Sequence, residues 1–340
     1  MLILMPDARF DTAEFEELVI GERADFRLYQ ATKLDDIPDG IWAAADGLMV
    51  WGRMSCNIAM LEKASKARIV VRMGVGFDAI DVEEAGKRGV VACNVPDYGT
   101  TDVADHAIGL MWALTRGIVR HHTNLADEPV ANWRGIDTPV VRRVRGEKFG
   151  LVGRGRIGTA AGLRAKALGM DVIFYDPYLP DGSDQSVGFG RRESLEELLR
   201  DADVVSCHTP LTQETRGMIN GQALSCMKPH SILLNTSRGE VVDVDAVTEA
   251  LKAGRIAAAG LDVLPQEPPN PSQPLFKALK KREDWTDGRV IVTPHAAWYS
   301  PDGARDCREK GAATVINYLI GGRLRNCVNE QYLDSRREGA

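Results

Sequence analysis

One short stretch constrains this chain more than any other: Gly153-Arg154-Gly155-Arg156-Ile157-Gly158, set between a strand pattern and a helix pattern. The pattern G-x-G-x-x-G is weak by itself. Here it follows the apolar run 148–152 without a gap and opens a helical pattern over 156–168. In that register it predicts a dinucleotide-binding turn. Gly153 permits the tight turn, Gly155 lets the backbone approach a pyrophosphate, and Gly158 lets the helix pack closely. The pyrophosphate would rest on the free N–H groups that begin the helix, around Arg156 and Ile157.

Asp176 strengthens this reading. It ends the next predicted strand, 171–175, eighteen positions after Gly158. A carboxylate there accepts hydrogen bonds from the adenosine ribose and repels a 2′-phosphate. Pro177 and Tyr178 follow, with no Arg to pair such a phosphate. The expected cofactor is therefore NAD (NADH).

Around this turn, short apolar runs alternate with helical patterns, which implies a parallel sheet. Strands are predicted at 149–152, 171–175, 203–207, 231–235, 257–261 and 290–292, with helices at about 156–168, 194–200, 220–227 and 243–252. Before them, strands are predicted at 2–5, 47–51, 68–72 and 90–94, with helices at 13–20 and 58–66. A long amphipathic helix is predicted over 101–116, with Val103, Ala107, Leu110, Met111 and Leu114 on one stripe. A turn-rich, charged stretch follows to about 146, and a last helix at 303–320 precedes an irregular tail. The expected fold class is α/β, with two doubly wound parallel-sheet domains.

Three predicted strands each lead into an unusual polar residue: 231–235 into Arg238, 257–261 into Asp262 and Glu267, and 290–292 into His295. Carboxyl ends of strands line the ligand crevice of such sheets. This set suits hydride transfer to a 2-oxo acid. Arg holds the carboxylate with two directed donors. His supplies the proton that the carbonyl oxygen needs. Glu267, beside the His, fixes its tautomer and favours the imidazolium.

With those residues in view, the chain resembles the D-isomer-specific 2-hydroxyacid dehydrogenases over nearly its whole length. The segments that carry the resemblance are 72–78, 103–106, the glycine turn, 208–212, 235–239, 261–268 and 293–295. The resemblance implies a catalytic set of Arg238, Glu267 and His295. It implies that backbone N–H groups near Val75 and Gly76 bind the substrate carboxylate. It also implies cofactor contacts from His208, Thr209, Pro210, Thr215, Thr236, Ser237, Arg238 and His295. Asp262 either positions the nicotinamide carboxamide or caps a turn.

Phe174–Leu179, Thr293–Ser300 and Asn326–Asn329 are similar, more narrowly, to one branch, the C-terminal binding proteins. That likeness implies that Arg72 contacts the substrate carboxylate and that Trp298 lines the pocket. Animal members of the branch are also corepressors. The short stretch after Val328 favours a metabolic enzyme here. The wider resemblance implies a cofactor domain of Rossmann type, 99–298, inserted into a flavodoxin-like substrate domain, 1–98 plus 299–340. It further implies closure of the two domains over substrate and a homodimer formed through the cofactor domain. The stripe on 101–116 suits such an interface, or else the helix packs on its own domain.

Composition narrows the partners. The net charge is −6 and the pI about 5.6, so no nucleic-acid partner is expected. No stretch approaches a membrane span, and the start lacks the features of a signal peptide. Six cysteines without C-x-x-C spacing suggest reduced thiols and a cytoplasmic protein. His121-His122 has no further ligand near it in sequence, so no metal is expected. The alternative to an enzyme is an NAD(H)-sensing dimer that binds a protein partner and turns over little.

Overall fold

The computed structural model describes residues 1–133 and 140–333. The chain divides into two compact units, Met1–Gly99 with Tyr299–Ala340, and Thr100–Trp298. Each has a parallel sheet of its own.

In the first unit the strands are β1 (Leu2–Met5), β2 (Asp25–Leu28), β3 (Gly47–Val50), β4 (Ile69–Arg72) and β5 (Val91–Asn94), in the order β2-β1-β3-β4-β5. This is the flavodoxin-like order, with its switch point between β1 and β3. In the second unit they are β6 (Lys148–Val152), β7 (Asp171–Tyr175), β8 (Gly190–Arg191), β9 (Val204–Cys207), β10 (Ile232–Asn235), β11 (Ala258–Leu261) and β12 (Val290–Val292). Their order is β12-β11-β10-β9-β6-β7-β8. That is the dinucleotide-binding order with one strand added, and its switch point falls between β6 and β9.

Successive residues of these strands serve opposite faces, as the period of two requires. Leu151, Phe174, Val204 and Leu234 join one buried cluster with Ala104, Met111, Ala161 and Ala165. Their neighbours Val152, Ile173, Val205 and Leu233 join the other with Leu198, Leu224, Val247 and Leu251. Strands buried on both faces are near-continuous apolar runs, which is why the sequence marks them so clearly.

Several expectations need correction. The stripe on the long helix, Thr100–Thr115, is not free for an interface. Val103, Ala107, Leu110, Met111 and Leu114 are buried, and the helix packs on helix Arg156–Ala167 and on β10 of its own unit. The stretch expected to be turn-rich contains helix Ile118–Asp127. The stretch with Pro265, Pro268, Pro269, Pro271 and Pro274, which reads as an irregular loop, leads into helix Pro274–Lys281, because Pro274 stands at its start, where a missing N–H costs nothing. The expected tail is irregular over 322–329, then forms helix Glu330–Leu333, and its end lies outside the described residues. Two strands were not anticipated. β2, Asp-Phe-Arg-Leu, is an edge strand with half its residues exposed, and β8 has two residues.

Candidate active site

The glycine turn joins β6 to helix Arg156–Ala167. Gly153 has φ +87°, where a Cβ would also meet Thr209 at 2.9 Å. A Cβ on Gly158 would lie 2.3 Å from the Gly153 carbonyl oxygen, so the helix begins in contact with the turn itself. Gly155, the residue that precedes the helix, has open space where its Cβ would be. Arg156 and Ile157 carry the first N–H groups of that helix.

Asp176 is half-buried at the end of β7 and is tied to the turn. It accepts the Arg154 amide at 2.9 Å through Oδ2 and the Tyr178 amide at 3.1 Å through Oδ1. Each oxygen keeps a lone pair for a ribose hydroxyl. Arg154, the first cation of the turn, is buried with its guanidinium 4.7 Å above the Phe174 ring. It serves the core and is not presented to a 2′-phosphate.

Across the switch point, three side-chain polar atoms are buried without partners: His208 Nδ1, Thr209 Oγ1 and Thr236 Oγ1. Buried polar groups are nearly always satisfied, so such a cluster beside an open glycine cradle fits a bound dinucleotide. His208 Nε2 lies 2.8 Å from Ser206 Oγ, and burial pushes its imidazole down to about 4. Thr215 is engaged elsewhere: its hydroxyl donates to the Pro210 carbonyl at 2.7 Å and accepts the Thr212 amide at 2.8 Å. It closes the 210–215 loop on itself.

After β10, buried Asn235 shapes the turn that bears Arg238. Its Oδ1 accepts the Ser237 amide and hydroxyl at 3.1 and 2.8 Å, and its Nδ2 donates to the Arg238 carbonyl at 2.9 Å. Arg238 is half-buried and donates through Nη1 to the Ser237 carbonyl. After β11 comes Glu267. Its Oε1 accepts the Leu264 amide at 3.0 Å and its Oε2 lies 2.7 Å from His295 Nδ1. Burial alone would raise the Glu267 carboxyl. The hydrogen bonds from His295 and the Leu264 amide, and the positive groups of His295 and Arg238, outweigh it and hold the carboxyl below its ordinary value.

His295 has φ +53°, a strained conformation for a residue other than glycine. Asp262 holds it there. The Asp262 carbonyl accepts the His295 amide at 2.8 Å. Its carboxylate accepts Thr293 Oγ1 at 2.5 Å and the Ala296 and Ala297 amides at 2.9 and 3.0 Å. His106, from the long helix, reaches Thr293 Oγ1 at 3.0 Å and stands 3.6 Å from the Asp262 carboxylate. The Asp262 carboxylate thus accepts three donors of this turn, and one lone pair of Oδ2 is left for a further donor. The sequence alone gave no role to Asn235, Thr293 or His106, since nothing local reveals that they support another residue. Trp298 is half-buried, three positions beyond His295.

In the first unit, β4 leads into the loop 73–77. Asn94 Nδ2 donates to the Val75 carbonyl at 2.6 Å and the Val95 amide to the Gly74 carbonyl at 3.1 Å. Arg72 donates to the Met73 carbonyl. Among the described residues the Val75 and Gly76 amides have no acceptor.

The comparison with known proteins bears directly on this arrangement. The family described as "D-isomer specific 2-hydroxyacid dehydrogenase, NAD binding domain" matches residues 108–297. The chain belongs to this family. It is an NAD-dependent 2-hydroxyacid dehydrogenase, and its seven-stranded unit is the NAD-binding domain. A glyoxylate reductase of Korarchaeum cryptofilum is 38% identical over 283 residues, 82% of this chain and 81% of that protein. A D-3-phosphoglycerate dehydrogenase of Methanocaldococcus jannaschii is 35% identical over 287 residues, 84% of this chain but 52% of that longer protein. A D-lactate dehydrogenase of Aquifex aeolicus, solved with NAD and lactic acid, superposes with a TM-score of 0.83 at 27% identity, covering 96% of this chain and 99% of the other. These relatives do not single out the C-terminal binding protein branch, nor do they favour the sensing alternative. Among the described residues no helix is long and apolar enough to cross a membrane.

Proposed function

We propose that this dehydrogenase interconverts a small 2-oxo acid and the (R)-2-hydroxy acid, using NADH in preference to NADPH. The observation that carries the catalytic assignment is the His295–Glu267 pair at 2.7 Å, on loops that leave the same ends of the strands as Arg238. The glycine turn, Asp176 and the buried polar atoms of His208, Thr209 and Thr236 would hold NADH, which would supply a hydride for the substrate C2. Arg238 holds the acid and polarises its carbonyl with directed donors. His295, with Nδ1 committed to Glu267, gives a proton from Nε2 to the carbonyl oxygen as charge develops there. Glu267 fixes the ring and stabilises its cationic form; in oxidation the same proton returns to Nε2. Arg72 and the amides of Val75 and Gly76 are assigned to the substrate carboxylate, and Trp298 to the wall of the pocket.

The Korarchaeum cryptofilum relative acts on glyoxylate by name, which supports a small acid such as glyoxylate or hydroxypyruvate. We also propose a homodimer through the NAD-binding domain, in the cytoplasm. Ile118, Val119, Val130 and Trp133 are apolar and exposed, which supports this reading. All six cysteines are free, as in a reducing compartment.

The test is NADH oxidation against a panel of 2-oxo acids, beside NADPH, with wild type and His295→Gln. Turnover on a narrow set of acids, lost in the variant while NADH still binds, is the expected result. Unchanged turnover in His295→Gln overturns the mechanism. NADH binding with no turnover on any acid overturns the enzyme assignment for this substrate class.

A further inference from the structure

Two of the six cysteines lie opposite each other in the first unit. Cys93 is on β5, an edge strand of its sheet, and Cys327 is on the segment that runs antiparallel along that edge. The Asn94 amide donates to the Asn326 carbonyl at 3.2 Å and the Val328 amide to the Ala92 carbonyl at 2.8 Å. These bonds flank the pair, so Cys93 and Cys327 occupy a non-hydrogen-bonded site of the ladder, where facing side chains are closest. Cα atoms at such sites are about 4.5 Å apart. Disulfides span roughly 4.4–6.8 Å between Cα atoms, so the backbone already has bridging geometry.

We propose that Cys93 and Cys327 form an oxidisable dithiol, which a hydroperoxide closes to a disulfide between β5 and the C-terminal segment.

The two thiols differ in the way the chemistry requires. Cys327 is half-exposed and Cys93 is buried. The facing Cys93 thiol holds the Cys327 thiol, which donates to Asn329 Oδ1 at 3.3 Å, below its ordinary value. The Asn329 and Glu330 amides also favour its thiolate, against burial and the Glu330 charge. The same pairing, with burial, raises Cys93. Cys56, Cys207 and Cys307 are buried and pushed up to about 12, so they stay protonated thiols.

The Cys327 thiolate attacks the peroxide, the O–O bond breaks, and the departing hydroxide takes a proton to become water. This leaves a sulfenic acid on Cys327. Cys93 then attacks that sulfur, losing its proton to the displaced hydroxide, which leaves as a second water. Two thiols are oxidised to one disulfide and one hydrogen peroxide is reduced to two waters. A dithiol reductant reverses the change. The crosslink would fasten the strand whose next residue, Asn94, holds the Val75 loop. The proposal does not depend on the role assigned to that loop.

The test exposes the reduced full-length protein to hydrogen peroxide and counts thiols. Wild type is expected to lose two thiols of six, recover them with dithiothreitol, and yield a peptide pair joined at Cys93 and Cys327. Cys327→Ser is expected to lose none under the same exposure, and Cys226→Ser to keep the crosslink. In Cys93→Ser, which keeps a donor beside Cys327 but no second thiol, the Cys327 sulfenic acid is expected to accumulate and take up one dimedone. Absence of the 93–327 crosslink in wild type overturns the proposal, whether or not the variants fold. So does equal thiol loss in Cys327→Ser, or a dimedone adduct on a different cysteine in Cys93→Ser.

Discussion

Gly239 lies so close to Leu264 that a Cβ at 239 would sit 1.9 Å from the Leu264 carbonyl carbon and 2.1 Å from its oxygen. The contact is backbone against backbone, so no rotamer change relieves it. It presses the loop of Arg238 onto the loop that carries Glu267. Gly239→Ala must therefore part the two loops. The expected cost is about 1–3 kcal/mol of stability, as in other overpacked sites. Displacement of the two side chains by even an ångström would lower kcat/KM by about 100-fold. Thermal unfolding and steady-state kinetics on one preparation check both. A variant with wild-type kinetics would show that the contact does not set the geometry of the site.

The proposed role of Asp176 in cofactor choice rests on its remaining lone pairs. Asp176→Ser keeps a small acceptor near the Arg154 amide but loses the charge that repels a 2′-phosphate. KM for NADH is expected to rise about tenfold, the worth of one charge-assisted hydrogen bond. KM for NADPH should fall, or at least not rise. Paired titrations with the two cofactors check this. A proportional rise for both would mean that the residue only supports the turn.

Two groups give stability a calculable pH dependence. The His208 imidazole has an unfolded value of about 6.5 and is held down to about 4 by burial. Between those values the unfolded chain binds the proton and the folded chain does not, so stability falls as pH drops through that window. Glu267 behaves differently. Its folded value lies below its ordinary value, so its contribution is fully present above the latter and is lost only as pH falls further. Melting curves should therefore decline first between about pH 6.5 and 4 in wild type and less so in His208→Gln. The difference between wild type and Glu267→Gln should stay flat near neutrality and shrink only in stronger acid. An acid profile of His208→Gln that coincides with wild type would refute the assignment to His208.

Legibility of the sequence followed burial. β6 and β10 are enclosed on both faces, so their residues form apolar runs that announce strands. β2 at a sheet edge is half polar, and β8 is too short for any period to register. The helix at Ile118–Asp127 exposes Ile118 and Val119, so its pattern lacked a buried stripe. At the site, polar residues in the loops that follow strand ends can be read from position together with the resemblance, and these include Arg238, Glu267 and His295. Their supports cannot. Asn235, Thr293 and His106 act through contacts made by folding, and the 187 positions between His106 and Thr293 carry no local trace of that pairing.

Asp262 permits a test between its two expected roles. If it caps the turn, Asp262→Asn replaces one acceptor oxygen with an N–H₂ group, which opposes either the Ala297 amide or the donors from Thr293 and Ala296. His295 would then leave its strained conformation, φ +53°. The consequence falls on proton transfer: kcat is expected to drop about 100-fold while KM for NADH changes little. If instead the free lone pair of Oδ2 holds the nicotinamide carboxamide, the loss shows first as weaker NADH binding. Fluorescence titration of NADH beside single-turnover kinetics separates the two. The geometry favours the first outcome, because three of the four lone pairs of Asp262 already serve the turn that carries His295.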